Sequence, residues 1–314
     1  MPTLEMARRA SAPAPLHTDR PVLIAGGEAD PNIRSILRRA RERALPVMEL
    51  LAGPERTPAL TWNVQADTLA LDGREVRPGA GFMRYDVFHA MADKRAAVNF
   101  RAQAWYTALH GWLLAHDDVR MVNRAYAGQT NKPFMLRMAA ACGLRIPRTL
   151  ITNELDALER MDGAEEMIAK PVPGGGFTQM VGELLRTTQR QGGLSAAPAI
   201  VQQRLVAPEV RIYGIGGRFI PFDVISAQLD YRADTSTRVE PRPLASIDPA
   251  LVGALGRLMD RLGMEYGAAD FKTDVETGEL VFLEINSGPM FVAFDRASGY
   301  AVSDAILDYL MARE

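Results

Sequence analysis

The stretch Val281-Phe282-Leu283-Glu284-Ile285-Asn286-Ser287-Gly288-Pro289 decides how this chain reads. A strand period of two puts Glu284 and Asn286 on one face, while Phe282, Leu283 and Ile285 supply apolar packing. Upstream, Tyr266-Gly267-Ala268-Ala269-Asp270-Phe271 is another apolar run that carries Asp270, and Thr277-Gly278-Glu279 reads as the turn between the two. The predicted product is a hairpin presenting two carboxylates and an amide oxygen to one point. Hard oxygen donors of this kind suit Mg²⁺, which keeps waters and shares its other positions with nucleotide phosphates. A Glu-x-Asn pair alone would describe only a half-exposed polar strand. The Asp on the preceding strand and the Ser-Gly-Pro turn make it specific.

Two cationic segments precede this hairpin. In Asn131-Lys132-Pro133-Phe134, Lys132 lies at a helix N-terminus, where the dipole and free N–H groups already favour anions. In Met167-Ile168-Ala169-Lys170-Pro171-Val172, Lys170 ends an apolar strand, a position that is usually just solvent-facing. Gly174-Gly175-Gly176 follows; glycines let backbone N–H groups approach phosphate oxygens, although a Gly triplet alone is only a flexible loop.

Together these segments resemble the ATP-grasp ligases, in the right order and from roughly Met121 to the C-terminus. Asp270…Glu284-Ile285-Asn286-Ser287…Pro289 looks like their metal-binding end. Asn131-Lys132-Pro133-Phe134…Gly143-Leu144-Arg145-Ile146-Pro147-Arg148-Thr149-Leu150-Ile151-Thr152-Asn153 is similar to the entry into the fold, closest to the RimK-type and microviridin-type peptide ligases. The resemblance implies an α/β (α+β) ATP-grasp fold behind an N-terminal parallel α/β pre-ATP-grasp domain. The expected organisation is a flexible tail at 1–20, an N-terminal domain at 21–125, and ATP-grasp subdomains at 126–200 and 201–314.

The resemblance also implies roles. Lys132, Lys170, Gly174, Gly175 and Gly176 would hold phosphates; Gln202, Gln203 and Leu205 would line the adenine pocket, largely through backbone contacts; Glu209 would contact ribose. Arg211 would face the transferring phosphate, a task suited to a planar fork that stays charged. Its plainer reading is an Arg paired with a neighbouring strand's acid. Asp270, Glu284 and Asn286 would hold Mg²⁺, two ions by resemblance, with Mn²⁺ as a substitute. Asp230-Tyr231-Arg232 looks like the substrate side of the enzymes that cross-link side chains in ribosomal peptides; Arg232, with Arg238, would hold a carboxylate.

The rest of the chain bounds the reading. At 314 residues and 47% hydrophobic content there is ample core for two or three domains. A net charge of −2 gives no sign of a nucleic-acid partner. Arg34, Arg38, Arg39, Arg41 and Arg43 read as a solvated helix face at this spacing, with a patch for an acidic partner as the alternative. Cys142 is the only cysteine, so no intrachain disulfide forms; beside Ala139–Ala141 and Gly143 it reads as a buried structural thiol. The Ala-, Pro- and Arg-rich start lacks a signal peptide's apolar core, and no segment has the length of a membrane span. The expectation is a cytoplasmic protein acting on an amino acid or peptide, with a homo-oligomer left open.

Ahead of the resemblance, Val22-Leu23-Ile24-Ala25, a Gly26-Gly27 turn, an Arg-rich helix from Pro31 and the strand Pro46–Leu51 predict a parallel α/β layer. A helix near Lys94–Asp117 carries the stripe Val98, Ala102, Trp105, Leu109, Trp112, Leu113 and His116. Met121-Val122-Asn123 reads as a strand, and Thr152-Asn153 as the cap of a helix over Glu154–Met161. Ala199–Leu205 reads as a strand, Val210–Ile215 with Phe219–Phe222 as a hairpin, and Ala250–Leu262 and Ser303–Met311 as helices.

These readings favour an ATP-dependent ligase that joins a carboxylate to an amine or hydroxyl through an acyl phosphate. A nucleotide-binding regulatory or scaffold protein without turnover is the alternative from another class. A nicotinamide-dependent oxidoreductase fails for want of a glycine fingerprint after Val22–Ala25.

Overall fold

The computed structural model describes residues 20–126, 131–173, 178–226 and 237–312. It separates into two compact units. One runs up to Val122 and takes in the end of the chain from Leu307; the other is Asn123–Ile306.

In the first unit the apolar run becomes β1 (Val22–Gly27), which includes both glycines predicted to turn. The chain turns only after them, and Asp30 caps α1 (Pro31–Glu42) by accepting from the Asn32 N–H at 2.8 Å. Then come β2 (Val47–Ala52), β3 (Leu60–Asn63), β4 (Thr68–Leu71), β5 (Arg74–Val76) and β6 (Ala80–Met83). β4 and β5 form a hairpin whose Asp72 and Gly73 both have positive φ, 48° and 75°, the turn that matches strand twist. α2 (Val87–Ala92), α3 (Ala96–Ala115) and β7 (Arg120–Met121) complete this part. The parallel sheet runs in the order β2-β1-β6-β7. α3 covers it with Leu109, Trp112 and Leu113, so the tryptophan is core, as the stripe predicted. His116 caps α3, stacks on Trp112 and pairs with Asp67, which makes it structural.

Three boundaries differ from the sequence reading. The strand predicted through Asn123 stops at Met121, because Asn123 adopts φ 60°. There its side chain donates to the Tyr266 and Ser287 carbonyls at 2.8 and 3.0 Å and accepts from the Tyr266 N–H at 2.8 Å. Thr152 and Asn153 do not cap a helix: they lie in a strand, and the short helix after them has no side-chain cap. The strand predicted at Ala199–Leu205 begins earlier and ends at Gln202.

The second unit opens with α4 (Lys132–Ala141), capped by Asn131, whose side chain accepts from the Phe134 N–H at 2.9 Å. β8 (Thr149–Glu154), α5 (Leu155–Glu159), β9 (Ile168–Pro171), β10 (Gln179–Met180), α6 (Val181–Thr187) and β11 (Leu194–Gln202) follow. Their antiparallel sheet has the order β10-β9-β11-β8. Next are β12 (Val206–Ile215), β13 (Arg218–Ile225), β14 (Arg238–Pro241), α7 (Pro249–Leu262), β15 (Tyr266–Thr273), β16 (Leu280–Asn286), α8 (Val292–Ser298) and α9 (Ala301–Met311). The second antiparallel sheet runs β14-β13-β12-β15-β16.

Strand alternation divides this sheet into two faces. Val210, Ile212, Ala269, Phe271, Phe282 and Ile285 pack under α4 and α7 with Met135, Leu136, Leu255 and Leu258. Phe271 and Phe282 meet edge to face at 5.7 Å, and burying each such ring contributes about 1.5–3 kcal/mol. Cys142, at the end of α4, belongs to this core, as its alanine-rich setting predicted. Among the described residues, no helix is long and apolar enough to cross a membrane.

Candidate active site

The other face of the β12-β15-β16 region holds the polar residues. Register sets Arg211 opposite Asp270, and Asp270 opposite Glu284, so one row of side chains crosses the three strands. Two residues along, Glu209 stands opposite Lys272. A cavity of about 200 Å³ lies over these rows. Lys132 from α4, Ile168 and Lys170 from β9, and Thr178, Gln203 and Leu205 from connecting segments line the rest of it.

Among the described residues, three ion pairs face this cavity. Arg211 donates to both oxygens of Asp270, from Nε at 2.6 Å and Nη2 at 2.7 Å, with both side chains buried. The plainer pairing weighed for Arg211 is therefore present, alongside its position at the cavity. Lys132 Nζ is 2.9 Å from Glu284 Oε2. Burial pushes the Glu284 carboxyl up, but the Lys132 charge and its hydrogen bond, with Lys170 and Asn286 adding, leave it below the usual glutamate range. Lys272 Nζ is 3.1 Å from Glu209 Oε2. There burial wins: the Glu209 carboxyl is raised even with Lys272 beside it.

Of the predicted residues, Lys132, Lys170, Gln203, Leu205, Glu209, Arg211, Asp270, Glu284 and Asn286 line this one cavity. Gln202 does not. It is 1% exposed, its Nε2 donates to Thr149 Oγ1 at 2.9 Å, and its Oε1 has no partner among the described residues. β11 ends at Gln202, and it is Gln203, just past the strand, that lines the cavity. Gly174, Gly175, Gly176 and Arg232, with the Asp230–Arg232 segment, lie outside the described residues.

Leu283 is a correction. Predicted as packing, it lines the cavity. Phe271 pairs with Phe282 and Asp270 with Glu284, so Leu283 is an extra residue in β16, a bulge that turns it to the polar face. Lys272 and Ile168 were also missed. Each stands two residues from a predicted group on the same strand, Asp270 and Lys170, so alternation alone could have found them.

Among the described residues no three His, Cys, Asp or Glu side chains gather. The donors are two carboxylates and the Asn286 amide, all hard oxygens on adjacent strands. Such a set leaves positions for water and phosphate oxygens, which fits Mg²⁺ rather than a softer ion.

No protein-family model and no curated protein matches the chain. Solved structures do. The ATP-grasp ligase PsnB, complexed with a phosphomimetic variant of its minimal precursor, Mg and ADP, aligns at 25% identity with TM-score 0.72, over 93% of this chain and 98% of that one. The macrocyclase MdnC from Microcystis aeruginosa, bound with precursor peptide MdnA, aligns at 19% and 0.66, over 93% and 99%. The VanG D-Ala:D-Ser ligase from Enterococcus faecalis aligns at 14% and 0.56, over 92% and 97%. Fold and cavity together are those of the ATP-grasp fold that these solved structures share. Within it, the chain is similar to the microviridin-type peptide ligases, a likeness that supports ATP-dependent ligase activity.

Proposed function

We propose that this protein is an ATP-dependent peptide ligase that activates a carboxylate as an acyl phosphate and passes it to an amine or hydroxyl. The observation that carries the reading is the single cavity joining Lys132, Lys170 and Arg211 to Asp270, Glu284 and Asn286. Cations for phosphate and hard oxygens for Mg²⁺ converge there, and no nucleophile–base pair joins them among the described residues, which suits a reaction run by positioning and charge. The peptide substrate is supported by the precursor complexes of PsnB and MdnC.

In this mechanism Lys132 and Lys170 hold the phosphates, while Gln203 and Leu205 take the adenine end and Glu209 the ribose. A substrate carboxylate oxygen attacks the γ-phosphorus, the bond to the bridging oxygen breaks, and ADP leaves with the electron pair. Arg211 neutralises charge on the transferring group. An amine or hydroxyl then attacks the acyl carbon, loses its proton, and phosphate departs. Asp270, Glu284 and Asn286 would hold Mg²⁺, which neutralises charge on the phosphate oxygens. The ion pairs Arg211–Asp270 and Lys132–Glu284 keep these groups neutralised until phosphate and metal replace each partner.

The test is release of ADP from ATP in the presence of Mg²⁺ and a panel of Asp- or Glu-containing peptides, with product mass measured. A loss of one water from the peptide with ADP as co-product is the expected result. AMP and pyrophosphate would point to adenylation and overturn the acyl-phosphate step. Tight ATP binding without turnover for any peptide would favour the regulatory alternative.

A further inference from the structure

The row next to the proposed metal site pairs Glu209, which the reading above gives to the ribose, with a lysine that has no assigned task. Glu209 and Lys272 are direct cross-strand partners on β12 and β15, one row from Arg211 and Asp270. Their side chains are 8% and 18% exposed, and both line the cavity. Lys272 Nζ sits 3.1 Å from Glu209 Oε2.

The geometry orders the cavity along the strands. Gln203 and Leu205 stand before β12, Glu209 lies within it, and Arg211 with Asp270 comes two residues later. Two residues of strand span roughly 6–7 Å, which sets Glu209 between the adenine end and the phosphate end, where a nucleotide carries its ribose. A buried carboxylate there is useful only if it is held in one orientation with its charge balanced, because an unpaired buried charge is costly. Lys272 supplies both conditions through its contact with Glu209 Oε2.

We propose that Lys272 is a positioning residue for nucleotide recognition: it fixes the Glu209 carboxylate at mid-cavity so that this carboxylate accepts hydrogen bonds from the ribose hydroxyls. Lys272 thereby sets how strongly the protein distinguishes a ribonucleotide from one lacking those hydroxyls. This rests on the ATP-ligase reading above and adds to it a residue that reading does not use.

The experiment measures equilibrium binding of Mg·ATP and of Mg·2′,3′-dideoxy-ATP by calorimetry to the full chain. The wild type is expected to prefer ATP by roughly tenfold or more, the discrimination of one charged hydrogen bond. Lys272→Met keeps the packed stem and removes the charge. It should weaken ATP to near the dideoxy value and leave dideoxy-ATP unchanged within about twofold, since that ligand never used the contact. Lys272→Arg should restore most of the preference. If Lys272→Met weakened both nucleotides equally, or kept the wild-type ratio, the pair would be structural and the proposal overturned. Glu209→Gln gives a second reading should Lys272→Met fold poorly: it should also compress the ratio, and an unchanged ratio counts against the proposal. A wild type that bound both nucleotides equally would overturn this inference and leave the ligase reading standing. A wild type that bound neither would end both.

Discussion

Glu284 is held from two sides, by the Lys132 ammonium at 2.9 Å and by its strand neighbour Asn286. Neither contact is apolar, so the carboxylate can leave Lys132 for a metal without opening a core. Glu284→Ala is therefore expected to cut peptide-stimulated ADP release by on the order of 10²-fold or more, the scale seen for groups that stabilise transition-state charge. The melting temperature should move little; near wild-type turnover would remove Glu284 from the site. This residue was legible because a period of two needs only the string Glu-Ile-Asn and a strand around it. Leu283 was not, because a bulge arises from how β16 pairs with β15, and no side chain in Phe282-Leu283-Glu284 announces it. The sequence likewise does not show that the Gln202 side chain turns to Thr149 while Gln203 lines the cavity, because that depends on how β11 packs.

At the scale of elements, α7 and the β15–β16 turn carry the framework under the site. α7 stops at Gly263, whose φ of 64° is left-handed, and a Cβ there would come within 3.0 Å of the Ala125 backbone. Gly263→Ala combines that strain with a contact to backbone, and a loss of about 1–2 kcal/mol in urea unfolding is expected. The Gly stop was visible in the sequence; the close approach of Ala125 was not, since it joins distant parts of the chain. In the turn, Asp274 Oδ1 accepts from the Glu276 N–H at 2.8 Å and the Thr277 N–H at 3.3 Å, while Oδ2 accepts from Gln203 Nε2 at 3.2 Å. The Glu276 N–H, followed by these other donors, holds the Asp274 carboxyl below its usual range despite desolvation. A carboxyl depressed in the folded state stabilises the fold above its unfolded pKa, and that stability is lost as pH falls through the folded value. Wild type should thus melt above Asp274→Asn at neutral pH, with the gap closing on acidification through and below the ordinary aspartate range. A gap that stayed constant with pH would show that the charge does not contribute. The Thr152-Asn153 misreading belongs to this scale too. Both residues suit a helix cap, but pairing of β8 with β11, from Thr149 opposite Gln202 to Thr152 opposite Ala199, decides the backbone there.

For the whole molecule, the groups assigned to the nucleotide come from the helix α4, from strands β9, β12, β15 and β16 of both antiparallel sheets of the second unit, and from the segment between β11 and β12. A ligand that touches all of them binds only the folded state, so its binding free energy appears as stability. Saturating Mg·ATP at about a hundred times its Kd should add about 2.7 kcal/mol and raise the melting temperature accordingly. The shift requires both halves of the site. ATP with chelator should give much less, because Glu284 and Asp270 would then face phosphate without a cation between them. AMP should give little, since it does not reach the Lys132 and Arg211 end. Lys132→Ala and Lys170→Ala should each reduce the Mg·ATP shift, both losing a charge-assisted contact worth roughly 1.5–3 kcal/mol. Glu284→Ala should reduce it while making the ATP shift insensitive to Mg²⁺. If AMP stabilised the protein as strongly as Mg·ATP, with no effect of Mg²⁺ or of either lysine, binding would reside in the adenine end alone. The arrangement of Lys132, Lys170, Asp270, Glu284 and Asn286 would then owe nothing to phosphate, and the ligase reading would lose its physical basis.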